Sequence, residues 1–89
     1  MISDLENEIA DKIFIKIEKW NLYLGDAGLA RKLAIECITN LDKGSLNAVK
    51  ISLDSIPVKI GDAEETLPLT KFITSQQILD LEKMLDNLN

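Results

Sequence analysis

The sequence has no histidine, one cysteine, two prolines and four aromatic residues. Without histidine, the usual Ser-His-Asp and Cys-His nucleophile systems are excluded. So is every zinc site that uses imidazole, and one cysteine cannot supply the remaining ligands. A lone Cys37 forms no intramolecular disulfide, which fits a reducing compartment. With only Phe14, Trp20, Tyr23 and Phe72 as aromatics, leucine and isoleucine must fill most of the core. The longest uncharged run, Phe72 to Leu79, is far too short to span a bilayer. The opening Met-Ile-Ser-Asp-Leu-Glu-Asn-Glu is acidic and lacks the basic start of a signal peptide. Positive charge is also scarce: 10 Lys and Arg face 15 Asp and Glu, a net charge of −5. Such a chain repels phosphate backbones and anionic membrane surfaces. The expectation is a soluble cytoplasmic protein with no nucleic-acid or membrane partner.

What the chain does have is periodic apolar patterning. Hydrophobic residues make up 46% of its 89 positions, so it buries a core, and its length allows one domain, residues 1–89. The fold class expected is α+β, mostly helical, with about four helices and one small two-stranded β-hairpin between the third and last helices. Ser3 and Glu6 stand at capping-box spacing. Leu5, Ile9, Ile13, Ile17, Trp20 and Leu24 then fall within roughly 120° of a helical wheel. This predicts a first helix of about 18–20 residues. The β-branched, nearly alternating Ile13-Phe14-Ile15-Lys16-Ile17 competes locally for a strand, and the longer helical register outweighs it.

Gly25-Asp26-Ala27-Gly28 breaks that register, with Asp26 as cap of a second helix carrying Leu29, Ala30, Leu33, Cys37 and Leu41 inward. Gly44 is placed at a left-handed C-cap. Ser45 is placed at the N-cap of a third helix with Leu46, Val49 and Leu53 on one face. Ile56, Val58 and Ile60, then Leu67 and Leu69, alternate as hairpin strands about the acidic loop Asp62-Ala63-Glu64-Glu65. Pro57 and Pro68 each lack a ladder donor, so both strands are edges. Pro68 to Ile73 reads as a turn with Phe72 inward. Thr74 and Gln77 then open a last helix with Ile78, Leu81, Met84, Leu85 and Leu88 inward.

The runs Ile13-Phe14-Ile15-Lys16-Ile17-Glu18-Lys19-Trp20-Asn21-Leu22-Tyr23-Leu24 and Ser55-Ile56-Pro57-Val58-Lys59-Ile60-Gly61-Asp62-Ala63-Glu64-Glu65-Thr66-Leu67-Pro68-Leu69, followed by a closing acidic amphipathic helix, resemble a family of small conserved cyanobacterial proteins of unknown function. The resemblance extends from about Ile9 to Leu85. It implies a cytoplasmic, photosynthetic-bacterial setting and brings no reaction, substrate or site residues.

Each remaining feature has a plain structural reading. Gly25-x-x-Gly28 precedes a helix, where phosphate sometimes binds, with Arg31 and Lys32 nearby. On this reading a predicted helix, not a strand, precedes it, and no Gly-Lys-Ser/Thr comes after it, so it is expected to be hinge plus cap. Cys37, at the middle of an apolar face, reads as a buried small hydrophobe. Asp62, Glu64 and Glu65 lack calcium-loop spacing and read as a solvated loop. Trp20, at the centre of the first apolar arc, reads as core. Tyr23 falls at the edge of that arc, with its ring expected to be buried and its hydroxyl at the rim, while Ile15 and Leu22 lie on the opposite side of the predicted first helix, flanked by Phe14. They need cover: the hairpin is the favoured cover, which makes Ile15 core, and otherwise Phe14, Ile15, Leu22 and Tyr23 form the candidate interaction surface for a homodimer or a protein partner. No catalytic, metal or cofactor residue is assigned. The leading expectation is a non-catalytic protein-interaction or assembly module. The alternatives are a small-ligand carrier, or an enzyme with a carboxylate- or lysine-based site.

Overall fold

The computed structural model describes residues 2–17, 20–25, 28–59 and 66–88, with backbone alone at 17, 20 and 21. The described chain runs α1 (Ile2–Lys12), β1 (Phe14–Ile17), β2 (Trp20–Tyr23), α2 (Ala30–Thr39), a 3-10 turn (Leu41–Lys43), α3 (Ser45–Ser55), β3 (Pro57–Lys59), β4 (Thr66–Pro68), a second 3-10 turn (Leu69–Phe72) and α4 (Ser75–Asp86). The fold is mostly helical α+β, with four α-helices and two separate antiparallel hairpins among the described residues. The radius of gyration is 12.3 Å.

The predicted long first helix is corrected. α1 ends at Lys12, the Ile13 amide closes its last turn onto the Ile9 carbonyl (3.0 Å), and a β-hairpin follows. Leu24 donates its amide to the Ile13 carbonyl (3.0 Å), and the register runs Phe14↔Tyr23, Ile15↔Leu22, Lys16↔Asn21, Ile17↔Trp20. In a strand, residues two apart share a face, so Ile13, Ile15, Leu22 and Leu24 all belong to one side. That side meets the core: Ile13, Ile15 and Leu24 are buried and Leu22 packs against them. A helix left Ile15 and Leu22 on the wrong side; a hairpin brings them in. The burial expected of Trp20 concerns a side chain outside the described set.

Gly25 ends the hairpin against α1. A Cβ at Gly25 would lie 2.7 Å from the Ala10 Cβ, so no larger residue fits without displacing the helix. α2 starts later than expected, at Ala30, with Leu29 in the N-cap position and no side-chain cap; Asp26 lies outside the described residues. Ala30, Leu33, Ala34 and Cys37 form its buried face, while Leu41 falls in the following 3-10 turn. Gly44, at φ +97°, ends that turn and is itself the N-cap of α3, so Ser45 is the first helical residue rather than the cap. Ser3 is likewise inside α1.

The second hairpin forms where expected. Pro57 pairs with Pro68, Val58 with Leu67 and Lys59 with Thr66, and the Leu69 amide extends the pairing to the Ile56 carbonyl (2.8 Å). Ile56, Val58 and Leu69 are buried, but Leu67 is exposed, against the expectation that it turns inward. Leu69, one residue beyond Pro68, occupies the core on that side. Ile60 and the acidic loop to Glu65 lie outside the described residues. Thr74 and Gln77 form the capping box expected at α4. A single buried cluster joins Leu5 and Ile9 of α1, Ile15 of β1, Leu33 of α2, Leu53 of α3 and Leu81 of α4.

Candidate functional site

The hairpin β1–β2 sorts the four candidate surface residues onto two faces. Ile15 is 1% exposed and its cross-strand partner Leu22 is half-buried. On the other face Phe14 and Tyr23 pair across the strands, ring centroids 5.4 Å apart and planes tilted by 51°. Tyr23 is 40% exposed. Lys16, two residues from Phe14 and on the same face by alternation, is exposed. The surface inferred from a helix is therefore split. Ile15 is withdrawn from it because the strand turns it into the core, and the aromatic pair remains outside.

The hairpin is fastened at its free edge by α4. Gln77, 7% exposed, donates Nε2–H to the Phe14 carbonyl (2.8 Å). Its Oε1 accepts the Thr74 amide (3.1 Å), and its own amide donates to Thr74 Oγ1 (3.1 Å). One side chain thus caps a helix and satisfies a strand-edge carbonyl that would otherwise be buried without a partner. Sequence reading recovered the cap and missed the second bond, which joins residues 63 apart in the chain.

Cys37 lies in the α2–α3 interface, facing Ser52 of α3. Burial pushes the thiol up from 9.0 to about 11; the Ser52 side chain pulls against that shift, and the negative charge of Glu36 adds to it. The Ser52 hydroxyl is fully buried and makes no formed hydrogen bond among the described residues, so its contact with the thiol is a loose one. A thiol held in its neutral form is a poor nucleophile, in agreement with the reading of Cys37 as core.

The remaining concavities are shallow. Between α1 and α4, overlapping clefts of about 390 and 320 Å³ are lined by Asp4, Glu8, Lys12, Asp80 and Lys83 around Met84. Glu8 and Lys12 form an exposed ion pair (3.8 Å). A groove of about 260 Å³ between α3 and α4 is lined by Leu46, Lys50, Ser75, Ile78 and Leu79. Among the described residues, no three His, Cys, Asp or Glu side chains converge to hold a metal ion. Nor is any helix long and apolar enough to cross a membrane. Arg31, weighed as part of an anion site, instead donates to Glu6 Oε1 (3.3 Å) and ties α2 to α1.

No curated protein and no solved structure matches this chain. A family model does, over residues 2–88, which takes in both hairpins and all four helices. The chain therefore belongs to the family described as "Protein of unknown function (DUF3181)".

Proposed function

We propose that this chain is a non-catalytic protein-interaction or assembly module, working in the cytoplasm of the cyanobacterial setting that its resemblance implies. The observation that supports this reading is the Phe14–Tyr23 pair. Two of the four aromatic rings of an aromatic-poor chain stand together on the outer face of a hairpin whose inner face is already filled. Paired aromatics beside a lysine offer a protein partner a large, rigid contact at low entropic cost. The pair sits on strands fixed by the core and by Gln77, so the surface is preorganised.

The test is affinity capture from the native host with the tagged wild-type chain and with Tyr23→Ser. Tyr23 is 40% exposed and packs on Phe14, so the substitution is expected to lower stability by about 1 kcal/mol while the domain stays folded, which a cooperative thermal melt checks. The reading predicts a stoichiometric partner that the wild type retains and Tyr23→Ser loses. A partner held equally by both chains, or a metabolite that stabilises the wild type against heat while no protein is captured, would contradict it and favour a ligand carrier or an enzyme.

A further inference from the structure

The groove between α3 and α4 carries a different signal from the hairpin. The two helices run antiparallel: the Ser45 hydroxyl at the start of α3 donates to Asp86 Oδ1 at the end of α4. Lys50, further along α3, lines the groove with Ser75 at the start of α4. Leu46, Ile78 and Leu79 form its apolar middle, and Leu79, 45% exposed, is the most exposed large hydrophobic among the described residues. Glu82 follows Ile78 by four residues and Leu79 by three, so it lies on the same side of α4, one turn further on. Neither Lys50 nor Glu82 has an ion-pair partner among the described residues. Along the helix the surface therefore reads cation, apolar centre, anion.

A patch in that order complements itself. A two-fold axis perpendicular to α4 at the level of Leu79 runs two α4 helices antiparallel. Leu79 then meets its counterpart, and each Lys50 faces the Glu82 of the other copy. We infer that this groove is a self-association surface whose occupant is a second copy of the same chain, held by Leu79 at the centre and by two symmetry-related Lys50–Glu82 contacts at the ends. The match of opposite charges at both ends in a single arrangement is what selects a second copy over an unrelated partner. α4 has 12 residues, so the contact is about 18 Å long and small for an interface. A contact of this size places the association among weak, concentration-dependent ones. The surface is separate from the Phe14–Tyr23 face, so the dimer can form whether or not that face has a partner.

Sedimentation equilibrium of the full chain from about 1 µM to about 1 mM tests this. The wild type is expected to pass from monomer to dimer. Lys50→Glu and Glu82→Lys should each weaken the dimer about tenfold or more, since each places like charges opposite one another. The double reversal, Lys50→Glu with Glu82→Lys, should restore it. Leu79→Ser should abolish dimerisation with little change in melting temperature, and Tyr23→Ser should leave it intact. A monomer throughout the range overturns the inference. So does a dimer indifferent to the charge reversals, one not rescued by the double reversal, or one that Tyr23→Ser dissociates while Leu79→Ser does not. Lys50 is exposed and Glu82 half-buried beside the groove, and the charge variants with their double reversal carry the test even if Leu79→Ser fails to fold.

Discussion

A thiol buried in the middle of α2, with a serine hydroxyl opposite and the charge of Glu36 nearby, is costly to ionise, and that cost couples folding to pH. The Cys37 pKa is raised from 9.0 to about 11, first by burial. Well below pH 9.0 the thiol is neutral in both folded and unfolded chains and the coupling is silent. Between 9.0 and about 11 the unfolded chain gives up the proton and the folded chain keeps it. The folded state then binds more protons, so stability falls as pH rises. Over the whole window the loss is on the order of 2–3 kcal/mol. Urea melts at a series of alkaline pH values should show this decline in the wild type, with a visibly shallower one in Cys37→Ala, which keeps every lysine and tyrosine. Equal slopes in the two proteins would mean that the thiol is hydrated in the folded chain.

At the scale of elements, Gln77 shows how a local rule and a distant contact share one side chain. Glutamate serves a capping box as well as glutamine does, so Gln77→Glu is conservative for α4 alone. It replaces the Nε2 donor with an oxygen facing the Phe14 carbonyl, leaving that carbonyl unpaired beside a negative charge. The expected cost is about 1–3 kcal/mol, read from urea melts at neutral pH. Burial and the facing carbonyl raise the new carboxyl above the ordinary glutamate range, so acidification restores a donor and the deficit relative to wild type should shrink as pH falls. A variant as stable as wild type at neutral pH would show that the bond to the hairpin contributes nothing. The same contact marks the limit of what was legible in the sequence. The capping box at Thr74, the buried residues Ala30, Leu33 and Cys37 of α2, Val49 and Leu53 of α3, and Leu81, Met84 and Leu85 of α4, and the proline-bounded second hairpin follow from local spacing and are present, whereas Leu46 and Ile78, expected inward, are half-buried and line the groove between α3 and α4. The first hairpin was misread because Ile13, Ile17, Trp20 and Leu24 satisfy a helical period as well as a strand's. The sign of the error was in the sequence: a helix left Ile15 and Leu22 uncovered, and a β-branched run lay across them. Gly25 breaks the helical pattern in the sequence, but what requires it is the close approach to Ala10 that a Cβ would block. The exterior pairing of Phe14 with Tyr23 depends on strand register, which periodicity alone does not supply.

For the whole molecule, the buried cluster leaves little room for independent parts. Ile13, Ile15 and Leu24 of the first hairpin region share one core with Leu33 and Cys37 of α2 and with Leu53 and Leu81 of α3 and α4. A chain of this length has a total stability of about 4–13 kcal/mol, too small to divide among several self-sufficient units. The domain should therefore open as one, and Cys37 can report on the opening because its side chain is 1% exposed. Under conditions where reclosing outruns chemistry, the rate of thiol labelling follows the population of the open state. Ile15→Ala removes buried volume in the hairpin without touching α2, at a cost of about 2–4 kcal/mol. If opening is global, Cys37 labelling should accelerate by the same free energy, roughly 30- to 900-fold, and the urea melt should give a matching loss. If the hairpin instead detaches by itself, the melt loses cooperativity while Cys37 keeps its wild-type labelling rate, and the interaction face carried by Phe14 and Tyr23 becomes a mobile strap on the helices. Agreement between labelling and melting makes it a fixed part of a single folded unit, able to hold its two rings in place before any partner arrives.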